Sequence, residues 1–222
     1  MAEVNDIKAD FDAENICGAS EVRKLLESHH VRLINLMASP GAGKTSLLEQ
    51  TIDRLKSQYR IAVIAADADA DSDVKRIGVH GVKAAAFRLG DSETMDSGAV
   101  LKALQLLDLD GLDLVFIENA DSQICQSDPD NGSDLKVMIL SVPEGDDKPL
   151  KAPRMFEIVD CLLINKIDRN EIFDFNLQKL REYVDPLNQT IQVIPISAFT
   201  GSGIENWLIY LREKLIGWNR TF

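Results

Sequence analysis

Residues 31–48 read VRLINLMASPGAGKTSLL, an apolar run followed by a Gly-rich turn and then by a helical pattern. The apolar run 31–37 is typical of a buried strand. The turn leaves backbone N–H groups unpaired, and the helix after it directs the positive end of its dipole toward them. Because such an arrangement binds phosphate, the stretch predicts a strand, a phosphate-binding loop and a helix in succession.

The Gly-rich turn fits the P-loop pattern G-x-x-x-x-G-K-[ST] at every position but the first, where Ala38 replaces Gly. Lys44 is expected to reach the β- and γ-phosphates, and Thr45 to ligate Mg²⁺ through its hydroxyl. A Gly-rich turn without a ligand would not need Lys and Thr at these positions. We therefore predict that a nucleoside triphosphate binds here with Mg²⁺. The residues expected to contact it are Gly41, Ala42, Gly43, Lys44, Thr45 and Ser46.

Apolar segments alternate with amphipathic ones along the chain, and some, such as DLVFIEN at 113–119, are apolar nearly throughout. Strands buried on both faces of a parallel sheet have this composition. We predict an α/β fold of the P-loop NTPase type, with a mostly parallel sheet flanked by helices on both faces. The expected strands are 31–37, 61–66, 83–88, 113–118, 135–142, 159–164 and 191–196. The expected helices are 44–57, 72–79, 95–107, 151–157, 175–184 and 203–216.

Length and composition bound the organisation of the chain. The 222 residues, 45% of them apolar, suffice for one core, so we expect a single nucleotide-binding domain over 1–222. A helical lead-in is expected at about 1–30, and the polar stretch 120–134 is expected to be a surface loop.

The charge and the cysteines exclude several classes of function. The net charge of −12 argues against a general nucleic-acid binder or a protein that binds anionic membranes. No apolar run approaches the roughly 20 residues that a bilayer-spanning helix needs. The three cysteines, Cys17, Cys125 and Cys161, are far apart and odd in number, which favours a reducing cytoplasm over a disulfide framework.

A second motif, Asn165-Lys166-Ile167-Asp168, follows the predicted strand 159–164 and resembles the guanine-recognition motif N-K-x-D of GTPases. A carboxylate at Asp168 can accept two N–H bonds from the N1 and N2 edge of guanine, where adenine has no donors. The stem of Lys166 can lie over the ring. Ser197 and Ala198 resemble the companion loop that supports guanine. Each short motif alone also fits an ordinary polar turn, but together with the P-loop they predict GTP.

Acidic residues at two strand ends are candidates for the metal and the attacking water. Asp67 follows the strand 61–66, and Glu118 lies at the end of the strand 113–118. Beside a P-loop, such carboxylates can hold Mg²⁺ directly or through water. We expect Lys44, Asp67 and Glu118 to act in catalysis and Thr45 and Asp67 to hold Mg²⁺. For Asp71 and Asp73, a solvated turn and helix N-cap is an equally good interpretation.

With these motifs in place, the chain resembles the HypB family of GTPases, which is related to the urease accessory protein UreG. The resemblance runs from about residue 15 to 215, and its most specific segment is LSVPEGDDKPLKAPRMFEIVDCLLINKID at 140–168. It implies slow GTP hydrolysis, a homodimer formed on GTP binding, and a role in nickel delivery to the large subunit of [NiFe] hydrogenase with the partner HypA. Lys148, in the EGDDKP segment, fits the dimer interface, the nucleotide site or an ordinary surface equally well.

The chain departs from the family at its transition-metal motif. The resemblance implies a Cys-His pair in the segment 89–96, where this sequence has Glu93 and Thr94. A further family cysteine is kept as Cys125, which is therefore the candidate ligand for Ni²⁺ or Zn²⁺. One thiolate per chain is a poor set for a soft metal, so an isolated loop thiol is the alternative. Asp121 replaces a family Gly and adds negative charge near the expected γ-phosphate.

Three functions remain open from the sequence. The first is a GTP-hydrolysing accessory protein for [NiFe] hydrogenase maturation. The second is a metal-free paralogue that keeps the GTP switch and acts as an assembly or regulatory partner. The third is a nucleotide-binding scaffold that does not hydrolyse GTP. This alternative is considered because Asp121 adds negative charge near the expected γ-phosphate.

Overall fold

A parallel sheet of seven strands forms the centre of the computed structural model, which describes residues 18–66, 70–88, 95–119 and 130–219. The strand order is β3-β2-β4-β1-β5-β6-β7, and every neighbouring pair is parallel. The strands are β1 (Arg32–Ala38), β2 (Ile61–Ala66), β3 (Lys83–Ala86), β4 (Leu114–Asn119), β5 (Leu135–Ser141), β6 (Cys161–Asn165) and β7 (Gln192–Pro195).

Helices cover both faces of this sheet. Residues 18–29 form α1, which precedes β1. The others are α2 (Lys44–Leu55), α3 (Ala70–Gly78), α4 (Ser97–Leu104), α5 (Lys148–Lys151), α6 (Pro153–Glu157), α7 (Asn170–Phe173), α8 (Leu177–Val184) and α9 (Ile204–Asn219). Among the residues described, no helix is long and apolar enough to cross a membrane.

The core lies in layers on the two faces because successive side chains of a strand point in opposite directions. On one face, Ile34 and Leu36 of β1 pack in a cluster with residues of α2 and with Trp207 of α9. On the other face, Leu33 belongs to a cluster with residues of α1 and α4. A third cluster joins β5 and β6 to α8 through residues such as Leu180.

The seven predicted strands are confirmed, and the predicted helices after residue 30 are confirmed with one exception. The segment 151–157 is not a single helix: α5 ends at Lys151, and α6 begins at Pro153. Ala152 between them has φ −142° and ψ 61°, because a residue before proline is disfavoured in the helical conformation. The short α7 was not predicted. Of the helical lead-in predicted at about 1–30, residues 18–29 form α1 and residues 1–17 lie outside the described residues. Of the loop predicted at 120–134, residues 120–129 lie outside the described residues.

The strand order places a ligand crevice beside β1. β1 lies between β4 on one side and β5 on the other, so the chain reverses its direction of winding there. In open α/β sheets, ligands bind outside the carboxyl ends of the strands at such a switch point. The P-loop follows β1 at this place.

Candidate nucleotide site

The P-loop owes its shape to two glycines in the left-handed backbone region. Gly41 has φ 74° and Gly43 has φ 102°, values that residues with a Cβ rarely adopt. A Cβ on Gly43 would also lie 2.4 Å from Nδ2 of Asn165, whereas one on Gly41 would have no atom within 4 Å. Position 43 therefore requires glycine for its backbone conformation and for space.

The first turn of α2 is arranged for an anion. Gly43 is the N-cap and makes no side-chain capping bond, and the first turn contains no acidic residue. Lys44 and Thr45 are buried, at 5% and 9% exposure. The N–H groups and the dipole at this end of α2 are thus not neutralised by any side chain of its own first turn.

The Thr45 hydroxyl lies between two carboxylates. Its Oγ1 is 2.9 Å from Oδ1 of Asp73 and 2.6 Å from Oε1 of Glu118. One hydroxyl has one proton and can donate to only one of them at a time. Asp73 is 7% exposed and Glu118 is fully buried. A hydroxyl and two carboxylates in close contact form an oxygen donor set that fits Mg²⁺.

Asp73 is a site residue that the sequence left undecided. The interpretation as a solvated turn or N-cap is wrong for Asp73, which lies inside α3 on its buried face with Ala70 and Ile77. The i, i+3, i+7 spacing of these three residues was the available signal. Asp71 is exposed and pairs with Arg88, as a solvated residue would.

Asn165 joins three segments of the site. Its side-chain Nδ2 donates to the backbone oxygen of Ala42 at 2.8 Å. Its Oδ1 accepts from the backbone N–H of Lys166 at 2.8 Å and from that of Ala198 at 3.0 Å. Asn165 is 2% exposed. The P-loop, the end of β6 and the loop after β7 are therefore held together by one amide.

Asp168 is held in place by the loop after β7. The hydroxyl of Ser197 donates to Oδ1 of Asp168 at 2.6 Å and accepts from the backbone N–H of Thr200 at 3.1 Å. Arg169 Nε lies 3.3 Å from Oδ2 of the same carboxylate. These contacts orient the carboxylate while leaving 20% of the Asp168 side chain exposed.

Lys166 reaches from the end of β6 to the P-loop. Its backbone is left-handed, with φ 66°, and its Nζ donates to the backbone oxygen of Gly41 at 2.6 Å. The aliphatic stem therefore spans the gap between the two loops.

Lys148 also contacts the P-loop. Its Nζ lies 3.3 Å from Oγ of Ser39 and 3.2 Å from Oε2 of Glu144, and 25% of its side chain is exposed. Burial alone would raise the pKa of Glu144, but hydrogen bonds from Ser141 and Ser39 and the charge of Lys148 outweigh it and hold that pKa below its usual range. Of the three positions open for Lys148, the structure favours the one near the nucleotide site.

The comparisons with known proteins agree with this geometry. The family model "CobW/HypB/UreG, nucleotide-binding domain" matches residues 32–195. A hydrogenase maturation factor HypB from Azotobacter vinelandii is 40% identical over 209 residues, which cover 94% of this chain and 69% of that protein. The chain belongs to the HypB family. The resemblance to HypB that the motifs indicated is thereby confirmed.

Solved HypB structures share the fold. The crystal structure of HypB from Archaeoglobus fulgidus has a TM-score of 0.84 and 32% identity, covering 91% of this chain and 99% of the other. HypB from Helicobacter pylori, crystallised in complex with nickel, has a TM-score of 0.85 and 29% identity, with coverages of 92% and 96%. The predicted α/β fold of the P-loop type is confirmed.

The residues that bear on a transition-metal site of the HypB type lie mostly outside the described residues. This holds for Cys125, Glu93, Thr94 and Asp121, and also for Asp67, which the sequence predicts as a Mg²⁺ ligand. Within the described part of the chain, no group of three or more His, Cys, Asp or Glu is placed to hold a metal ion. Cys161 is buried in the core, and burial raises the pKa of its thiol well above the usual value.

Proposed function

We propose that this protein binds and slowly hydrolyses GTP with Mg²⁺, and that it serves [NiFe] hydrogenase maturation as a GTP-switched accessory protein. The contact of Thr45 with Asp73 and Glu118 supports the Mg²⁺ site. The network of Asn165, which joins the P-loop to the N-K-x-D loop, supports one continuous nucleotide site. The second of these observations carries the proposal, because it links phosphate binding to base selection.

Base selection is assigned to Asp168. Its carboxylate, oriented by Ser197, accepts two N–H bonds from guanine and leaves an unfavourable unpaired charge against adenine. The stem of Lys166 packs over one face of the base. Ser197 and Ala198 form the loop that supports it.

Hydrolysis is assigned to positioning and electrostatics rather than to covalent chemistry. Lys44 holds the β- and γ-phosphates at the N-terminus of α2. Thr45 would hold Mg²⁺, which would supply neutralisation of the phosphate charge when bound. Glu118, Asp73 and Asp67 would complete the oxygen donor set beside Thr45.

A GTP-dependent homodimer is part of the proposal. Four large apolar side chains are exposed in elements that follow the carboxyl ends of β5, β6 and β7: Leu150, Ile172, Phe173 and Phe199. Exposed apolar surface at the nucleotide end of the sheet fits an interface that forms when GTP is bound. Lys148 lies at the same end. A HypA-like protein and the large subunit of the hydrogenase are the proposed partners in a cytoplasmic setting.

Nickel is the proposed cargo, with Cys125 as its ligand. The nickel complex of the Helicobacter pylori relative supports this assignment at the level of the family. The absence of the Cys-His pair at Glu93 and Thr94 favours the second candidate function, a metal-free member that keeps the switch. Asp121 favours the third, a scaffold that does not hydrolyse GTP.

The test is nucleotide binding and turnover by the full chain. Displacement of a fluorescent GDP analogue by GTP and by ATP measures base preference, and phosphate release with and without Mg²⁺ measures hydrolysis. We expect GTP to compete at least a hundredfold better than ATP and phosphate release to require Mg²⁺. Lys44→Ala is the negative control and should abolish binding, while exposed Lys102→Ala should not. Equal competition by ATP contradicts the guanine assignment, and Mg²⁺-dependent binding without phosphate release supports the scaffold.

A further inference from the structure

A row of polar contacts joins α2 to α3 beside the proposed Mg²⁺ site. The residues that α2 contributes are spaced at i, i+4 and i+8, and therefore lie on one face of that helix. Their partners lie on α3 and on the turn after it. We call these contacts the polar ladder, whose rungs are Thr45–Asp73, Glu49–Arg76 and Asp53–His80.

The second rung is bidentate. Arg76 Nε lies 3.0 Å from Oε1 of Glu49, and Arg76 Nη2 lies 2.8 Å from Oε2. Two parallel bonds between a planar guanidinium and a carboxylate restrict both side chains more than a single bond does. Arg76 Nη2 also lies 3.4 Å from Oγ of Ser46, the residue after Thr45. Arg76 is thus tied to the first turns of α2.

The third rung resembles the second in chemistry but is far from the proposed metal. His80 Nδ1 lies 2.8 Å from Oδ1 of Asp53. Lys56 Nζ reaches the same carboxylate at 2.8 Å and the backbone oxygen of His80 at 3.1 Å. Asp53 lies eight residues beyond Thr45, about 12 Å along the helix. His80 Nε2 also lies 4.0 Å from Oε1 of Glu49, so the third rung is not independent of the second. Asp53 itself bonds to His80 and Lys56 and is the control residue for general helix–helix contact.

The apolar attachment of α3 is small. Its buried residues are Ala70, Asp73 and Ile77, and only two of these are apolar. A short helix with few buried apolar contacts has low local stability. The place of the Asp73 carboxylate therefore depends on the polar contacts of α3 as well as on the packing of Ile77 in the core.

The cation of the second rung is also within electrostatic reach of the acidic pair. The hydrogen bond to Glu49 raises the pKa of Arg76 above its usual value, against the effect of burial. The negative charges of Glu49, Asp73 and Glu118 raise it further. Arg76 thus offsets part of the repulsion between the two buried carboxylates.

We propose that Arg76, clamped by Glu49, is a positioning residue that fixes Asp73 opposite Thr45 and thereby sets the Mg²⁺ dependence of nucleotide binding. The inference rests on the function proposed above, since it assumes that Thr45 and Asp73 form the Mg²⁺ site. Arg76 acts through α3, and its hydrogen bonds are to Glu49 and Ser46 of α2.

The experiment measures the affinity of the full chain for a fluorescent GDP analogue over a series of Mg²⁺ concentrations and in EDTA. Two variants remove the bidentate pair: Glu49→Gln, which keeps the side-chain size, and Arg76→Lys, which keeps the positive charge. Asp53→Asn is the control. Thermal unfolding of each variant reports its folding. Because there are two second-rung variants, the inference can still be tested if one of them does not fold.

Nucleotide affinity should rise with Mg²⁺, and we expect both second-rung variants to need at least fivefold more Mg²⁺ for half of that rise. Asp53→Asn should change this Mg²⁺ concentration less than twofold. Affinity in EDTA should stay within twofold in all of them, because the P-loop is intact. Equal shifts in Asp53→Asn, no shift in the second-rung variants, or a loss of affinity in EDTA would overturn the inference. A wild-type protein that binds no nucleotide would instead refute the proposed function.

Discussion

The side-chain amide of Asn165 donates a hydrogen bond to the backbone oxygen of Ala42 across 123 residues of sequence. The same side chain accepts a bond from the backbone of Ala198. Three loops at the carboxyl ends of β1, β6 and β7 are therefore joined by one side chain, in a structure that holds no nucleotide.

Gly43→Ala should destabilise the protein more than Gly41→Ala. Both substitutions force a Cβ into the left-handed region, at a cost of about 1 kcal/mol. Only the Cβ at position 43 also meets Asn165, at 2.4 Å from Nδ2. We expect Gly43→Ala to lower the free energy of unfolding by about 1–3 kcal/mol more than Gly41→Ala does. Urea unfolding of both variants measures the difference, and equal values would contradict the close packing of Asn165 on the P-loop.

Asp73→Asn should weaken Mg²⁺-dependent nucleotide binding while leaving metal-free binding intact. The substitution keeps the shape of the side chain but removes one of the two charges beside Thr45. We expect about a tenfold loss of Mg²⁺ affinity, as for a changed ligand or outer-shell partner. Titration of Mg²⁺ against fluorescent nucleotide measures it. Asp71→Asn is the matched control two residues away, and a similar loss there would refute the assignment.

Asp168→Asn should relax the preference for guanine, because an asparagine amide can offer a donor to other bases. We expect the ratio of GTP to ATP affinity to fall about a hundredfold or more. Competition binding gives the ratio. Asp174→Asn is the control, since Asp174 lies in the neighbouring turn with φ 48°, which asparagine tolerates. An unchanged ratio in the Asp168 variant would show that guanine is selected elsewhere.

Glu144→Gln should reduce stability at neutral pH and not in acid. Because the pKa of Glu144 is lower in the folded protein than in the unfolded chain, its charge stabilises the fold above the unfolded value near 4.5 and loses that effect as the pH falls through the folded value. We expect the variant to be about 1 kcal/mol less stable at pH 7 and equal to the wild type once the pH lies well below the lowered pKa of the folded protein. Denaturant melts at several pH values measure this. If the difference in stability between variant and wild type does not change with pH, the effect comes from packing and not from the charge of Glu144.

Calorimetry with Ni²⁺ and Zn²⁺ should separate the first two candidate functions. We expect tight binding in the presence of a non-hydrolysable GTP analogue and its loss in Cys125→Ala. Cys161→Ala is the matched control, because that thiol is buried and its raised pKa disfavours the thiolate. Absence of binding in the wild type, with and without nucleotide, would favour the metal-free member of the family.

The sequence predicted the strands and the P-loop well because both have strong local signals. An apolar run such as the one in β4 needs no partner to be recognised, and Lys44 and Thr45 follow a fixed pattern. The spacing of Asp73 with Ala70 and Ile77 indicates a buried position, but its contact with Thr45 depends on the packing of α3 against α2, which no local pattern contains. The break at Ala152 was readable in principle from Pro153, whereas the three contacts of Asn165 depend on the strand order of the whole sheet.

The place of β1 in that order also affects how the chain is synthesised. β1 ends at residue 38, and its first neighbour, β4, begins only at residue 114, which is 114 − 38 = 76 positions later. At a translation rate of about 5–20 residues per second, the strand that leads into the P-loop waits about 4–15 s on the ribosome before it can pair. During that time its apolar side chains have no sheet to cover them, so the nascent chain exposes apolar surface and an unpaired strand edge.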